Sequence, residues 1–133
     1  MSEIIFAESN GSLSFGNYKS AEKLKSNDFE VNGDVYKIKT HKEITRVEKN
    51  NKLLFESVPG SLIRKFALNE RECSFFIEGS HNSQITLELE PEKEYGIYID
   101  NASAGTTRAS GSGKLTFSLE LNEISKNVKI ERI

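Results

Sequence analysis

Tryptophan is absent from the 133 residues, cysteine and methionine occur once each, and proline and histidine twice each. Each scarcity excludes something. A lone cysteine, Cys73, forms no intramolecular disulfide and no cysteine metal cluster. It sits in "ECSFFIEG", an apolar strand pattern, which predicts a buried, inert thiol. His41 and His81 lie far apart, with no ligand at a recognised spacing, so no metal and no cofactor is expected. His41 falls at a strand end, and His81 in a polar turn where it is expected to be solvated. Neither sign of charge dominates. Eighteen basic residues stand against twenty acidic ones, a net −2, so no broad field draws the chain to nucleic acid or anionic lipid. No apolar run approaches the roughly 18 residues of a membrane-spanning helix. The opening "MSEIIFAESNGS" has only Ile4 to Ala7 as an apolar run, preceded by Glu3. A secretory signal needs a basic segment and about 7–15 apolar residues. The expectation is a cytoplasmic protein, with delivery to a cell surface or in a phage particle as the alternative.

What is present is alternation. "QITLELE" puts Ile85, Leu87 and Leu89 on one face and Thr86, Glu88 and Glu90 on the other. "KLTFSLEL" does the same with Leu115, Phe117, Leu119 and Leu121, "EYGIYID" with Tyr95, Ile97 and Ile99, and "VKIERI" with Val128 and Ile130. Side chains alternate faces along a strand, so each segment is buried on one side, the habit of antiparallel sheets. "DFEV" and "VYKIKT" flank "NGD", a hairpin signal. "EITRVEK" and "KLLFESV" flank "NN", a second one. Pro59-Gly60 and Pro91 end strands. "SLIRKFAL" and "SFFIEG" supply two more strand patterns. "YKSAEKLKS" (18–26) reads equally as a turn of helix or as a strand. The count is ten or eleven strands, spaced about 8–12 residues apart, the rhythm of a sandwich or barrel. The fold expected is an all-β antiparallel sandwich, immunoglobulin-like or jelly-roll-like, with little or no helix. It forms one domain over residues 1–133, with 72–133 the more clearly immunoglobulin-like half.

"GSGK" within "DNASAGTTRASGSGKLTF" looks like the end of a phosphate-binding loop. That loop needs glycine, four residues, then Gly-Lys and a hydroxyl, opening a helix. Here Arg108 stands at the first glycine position, Leu115 replaces the hydroxyl, and a strand follows. The glycines are turn residues, with positive φ expected at Gly105, Gly111 or Gly113. "DNASAG" offers a calcium ion only the Asp100 and Asn101 side-chain oxygens, where six to eight oxygens are usual. Glu88 and Glu90 point the same way, about 7 Å apart. As paired carboxylates they could serve hydrolysis, and as part of "ELEPEKE" they read as a solvated strand face. Arg46 and Arg64 fall inside strand patterns and are expected to pair with cross-strand carboxylates. Tyr98 stands opposite the apolar face of its strand, and Phe76 is out of phase with Cys73, Phe75 and Ile77. An outward aromatic stacks on a sugar, packs on another subunit or lies under a loop. Tyr98, Phe76 and Asp100 are therefore the candidate ligand or partner contacts, and no catalytic residue is assigned.

"ITLELEPEKEYGIYIDN", a glycine-rich turn, "GKLTFSLEL" and "VKIERI" resemble, in that order, the terminal β-sandwich modules of bacterial polysaccharide-active proteins. Those modules carry a Tyr-x-Val-x-Val-Asp-Gly strand followed by Gly-x-Leu-x-Phe. Asn101 stands here where the glycine follows the aspartate. "EITRVEKNNKLLFESVPGSLIRKF" is similar to an upstream part of such modules, and the whole chain resembles short bacterial all-β proteins carrying an endosialidase label. Phage-type sialic-acid hydrolases are large propellers, and 133 residues leave no room for one. The resemblance therefore implies an accessory domain, by fold alone. The leading expectation is a non-enzymatic structural or accessory protein, self-associating or joined to a partner protein. The alternatives are a carbohydrate-binding module that takes a glycan and, behind it, a small glycan hydrolase.

Overall fold

The computed structural model describes residues 4–133. Among the described residues there are thirteen strands and no helix. In chain order they are β1 (Ile5–Ala7), β2 (Leu13–Phe15), β3 (Leu24–Val31), β4 (Asp34–Thr40), β5 (Thr45–Lys49), β6 (Lys52–Val58) and β7 (Leu62–Leu68). Then come β8 (Glu72–Glu78), β9 (Ser83–Glu88), β10 (Glu94–Ile99), β11 (Ala102–Arg108), β12 (Lys114–Leu119) and β13 (Lys126–Arg132). One sheet runs β1-β2-β7-β8-β13-β10-β11, the other β12-β9-β6-β5-β4-β3, and every pairing is antiparallel. The chain is a β-sandwich. No helix among the described residues is long and apolar enough to cross a membrane.

The alternating strips meet in the middle. Ile85, Leu87 and Leu115 of the six-stranded sheet and Val128 and Ile130 of the seven-stranded sheet are fully buried. A phenylalanine cluster locks the two sheets together. Phe55 packs edge-on against Phe15 (centroids 5.3 Å) and Phe75 (5.7 Å), while Phe66 stacks on Phe75 at 5.6 Å. Such aromatic pairs add about 0.5–1.5 kcal/mol each beyond the area they bury.

Two details depart from simple alternation. In "LIRKFAL" a strict period of two would bury Lys65. Instead Lys65 adopts φ 56°, the β7–β8 register shifts there, and both Ile63 and Phe66 face inward. The Lys65 amide donates to the buried Ser14 hydroxyl at 3.2 Å. The second departure is a polar plug. Thr40, Thr45, Ser57 and Ser61 are all fully buried. The Thr40 and Thr45 hydroxyls share a 2.8 Å hydrogen bond, and Thr45 Oγ1 both accepts from the Ser61 amide and donates to its carbonyl, each at 3.0 Å. The Ser57 and Ser61 hydroxyls meet at 2.6 Å, and the Asn17 amide donates to Thr40 Oγ1. Every member has a partner, so burial carries no orphan cost. The plug ties the ends of β4 and β6 to the starts of β5 and β7.

The thirteen strands exceed the ten or eleven expected, for physical reasons. β1 and β2 have three residues each, too few to show a period. β11 has no apolar side, so nothing alternates in it. The glycine-rich stretch expected to be one turn is two turns with this strand between them. Segment 18–26 resolves as a turn followed by the start of β3.

Candidate functional site

The three candidate contacts lie on or beside the outer face of the seven-stranded sheet. Phe76, in β8, stands between Arg64 of β7 and Asn127 of β13, and is 39% exposed. Tyr98, in β10, stands between Lys129 of β13 and Ser103 of β11. The two residues flank β13, about 12 Å apart on the diagonal of two strand spacings and two residue rises. Tyr98 folds back over Gly96. A Cβ at that glycine would lie 3.3–3.6 Å from the tyrosine's Cε2, Oη and Cζ, so the missing side chain makes room for the ring. Lys129 bridges Glu72 (3.7 Å) and Glu131 (3.3 Å), and these carboxylates hold its ammonium above the usual lysine range. Asp100 has a structural task. With Asn101 it makes the β10–β11 turn, φ 50° and 68°, the same geometry as the Asn32-Gly33 and Asn50-Asn51 hairpins. Its carboxylate accepts from the Asn127 amide at 2.9 Å and its own amide donates to the Asn127 carbonyl at 2.8 Å. The turn is thereby latched to β13.

That latch holds out β11. Six of its seven residues are exposed and only Thr107 is half-buried. Arg108, Thr106 and Ser103 stand on the outer face, opposite Glu94, Gly96 and Tyr98. Thr107, Gly105 and Ala102 stand on the inner face, opposite Tyr95, Ile97 and Ile99. Ala104 is the extra residue of a bulge, with Gly105 at φ 111°. Among the described residues β11 pairs with β10 alone, so its far side presents backbone N–H and C=O groups without a strand partner there. Natural edges are usually blunted by shortness, charge or proline. β1 is three residues long, β3 carries Lys25, Asp28 and Glu30, and β12 begins with Lys114. From Ala102 to Thr107, β11 has neither a charge nor a proline.

The other polar groups are engaged. Glu88 pairs with Lys114 at 3.5 Å within the six-stranded sheet, and Glu90, past the end of β9, pairs with Arg132 of the seven-stranded sheet at 2.7 Å. They line a cleft of about 570 Å³ together with Tyr95, whose hydroxyl accepts from the Glu90 amide at 3.2 Å. Cys73 lies beneath it, buried, with its thiol pushed well up by burial. Arg46 pairs with Glu56, directly across the strands, and with Glu48. Burial pulls its guanidinium down, but the two ion pairs outweigh that and leave it raised. Arg64 pairs with Glu78 at 3.0 Å, and Glu78 also accepts from the Tyr18 hydroxyl at 2.9 Å. This triad faces a hollow of about 330 Å³. Tyr18 came from the ambiguous segment 18–26, so the sequence pointed to Arg64 and its carboxylate but not to the phenol. Burial first, then the bond to Glu78, pushes the phenol up to about 12. That is the wrong direction for a phenolate nucleophile at neutral pH.

The "GSGK" loop turns into β12, and Lys114 spends its charge on Glu88. Gly113 has φ 85°, and a Cβ there would come within 2.4 Å of the Leu89 carbonyl. Gly105 and Gly113 have positive φ and Gly111 does not. His81 is exposed and His41 is buried at the end of β4. Among the described residues, no three His, Cys, Asp or Glu side chains gather as a metal site. No family model, curated protein or solved structure matches the chain.

Proposed function

We propose that this chain is a non-enzymatic structural or accessory module that joins its partner by strand addition at β11. The observation that supports this is the uncovered edge of β11, uncharged from Ala102 to Thr107 and held out by the Asp100–Asn127 latch. Backbone pairing along such an edge supplies affinity, and side chains on alternate positions supply selectivity. The pairing of Glu88, Glu90 and Glu78 with basic partners, and the raised phenol of Tyr18, favour this reading over hydrolysis. The test is an amide-resolved NMR titration of the full chain with a peptide copying residues 102–108. Shifts confined to β10 and β11 are expected. Shifts centred on another strand, or none, count against strand addition.

A second reading, carbohydrate binding, is favoured by Tyr98 and Phe76 sharing one outer face with polar Asn127, Lys129 and Ser74 between and beside them. Glycan-array binding lost in both Tyr98→Ala and Phe76→Ala would support it, whereas an array without hits would remove it.

A further inference from the structure

We infer that the strand added to β11 is the β11 of a second copy of this chain, in a two-fold antiparallel pair stitched by Arg108 and Asp100. The inference rests on the strand-addition reading above and names its partner. Charge complementarity carries it. β11 has one charged residue, Arg108, at one end, and Asp100 lies in the turn beyond the other end. Both are exposed. Among the described residues, Arg108 is in no ion pair, and only one Asp100 carboxylate oxygen, the one facing the Asn127 amide, takes part in a hydrogen bond. An antiparallel two-fold brings opposite ends of the two strands together. A parallel pairing would set Arg108 beside Arg108.

Face matching narrows the register. In a flat continuation of the sheet, outer-face residues must oppose outer-face residues. The ladder with β10 fixes those faces, with Ala104 bulged out between Ser103 and Gly105. Two registers satisfy the rule with long overlap. One centres on Thr106 and sets Arg108 opposite Ser103 of the second copy. The other centres on Gly105, sets Thr106 opposite Ser103 of the second copy, and brings Arg108 beside its Asp100-Asn101 turn. In the first register the diagonal neighbour of Arg108 on that face is Asn101 of the second copy, and Asp100 lies farther off, across the turn. The second register therefore joins Arg108 to Asp100 twice, once at each end. The small side chains of "ASAGTT" raise no steric barrier across the axis. Two seven-residue strands make an interface at the small end of the range, so the dimer is weak, reversible and sensitive to salt.

Sedimentation velocity and residue-resolved amide exchange of the full chain, from micromolar to millimolar concentration, test this. A species of twice the 15.0 kDa chain mass is expected, with β11 amides gaining protection as it forms. Arg108→Glu sets two like charges at each end and should weaken the dimer at least about tenfold. Adding Asp100→Asn, which keeps the oxygen that accepts from the Asn127 amide, should recover most of that loss. Thr106→Cys cross-linking to itself would mark the first register, which lacks the Arg108–Asp100 contact, and would overturn the inference. Mixed Ser103→Cys and Thr106→Cys chains should cross-link in the second. A dimer indifferent to Arg108→Glu, or one with β11 amides unprotected, overturns the inference. So does a monomer at millimolar concentration. A monomer whose outward β11 amides exchange freely still leaves the edge open to another strand. A monomer with those amides protected removes the strand-addition reading too.

Discussion

Thr45 and Thr106 have the same side chain in opposite circumstances. Thr45 is fully buried and bonds three groups of the plug through one oxygen. Thr106 stands exposed on an edge strand with no such task. Around them the neighbours are also alike in type: Thr40, Ser57 and Ser61 in one region, Ser103, Gly105 and Thr107 in the other. The difference lies in what sits opposite. At the plug, two sheets and several strand ends converge, and each hydroxyl replaces water for a backbone or side-chain group. At β11 the opposing sheet does not reach, so small polar residues meet water on both faces. Small hydroxyl residues are thus stabilising where they complete a buried network, and nearly free of constraint where they leave a backbone edge available.

This contrast can be broken by substitution. The largest effect is expected where the two sheets lock. Phe55→Ala removes the ring that touches Phe15, Phe66 and Phe75. It should cost about 3–5 kcal/mol in urea unfolding. Thr106→Ala should stay within about 0.5 kcal/mol of the native chain. Next comes the direct comparison. Thr45→Val keeps the shape and strands the buried Ser61 amide, at a cost of about 1–3 kcal/mol. Thr106→Val should change stability by about 0.5 kcal/mol or less. Equal costs at the two threonines would dissolve the distinction.

A smaller effect, set by pH, concerns Tyr18. Its phenol is raised from 10.0 to about 12, so the folded state keeps a proton that the unfolded chain loses first. The stabilisation is complete below pH 10 and is lost as pH rises towards 12. Burial raises Tyr36 as well, so the Tyr18 share is the part that Tyr18→Phe removes from the alkaline limb of a stability–pH curve. A Tyr18→Phe chain with an unchanged alkaline limb would contradict a phenol raised by burial and by the Glu78 bond. Smallest of all is the Glu90–Arg132 pair, exposed at Glu90 and half-buried at Arg132. Glu90→Gln should shift stability by about 1 kcal/mol or less.

Much of this was legible in the sequence. Ile85, Leu87, Leu115, Val128 and Ile130 announced the core, because period two maps directly onto one side of a strand. Asn-Gly and Asn-Asn announced their hairpins, because few residues tolerate those dihedrals. Arg64 and Arg46 announced cross-strand ion pairs. The Lys65 bulge was hidden, because one left-handed residue shifts the phase without leaving a pattern. The plug was hidden, because a threonine in a strand looks alike on either face. β11 was hidden for the opposite reason: a strand with no dry side has no period. Its value as an edge follows only from the sheet order, which no local signal encodes.

The most direct test is amide exchange in dilute solution, resolved by residue. The amides of Val47, Phe55, Phe75 and Val128 should exchange only through global opening. The outward amides of β11 should exchange orders of magnitude faster, since water is their only partner there. Outward β11 amides as slow as those of Phe75 in the dilute monomer would mean that the edge is already covered, and would contradict the account.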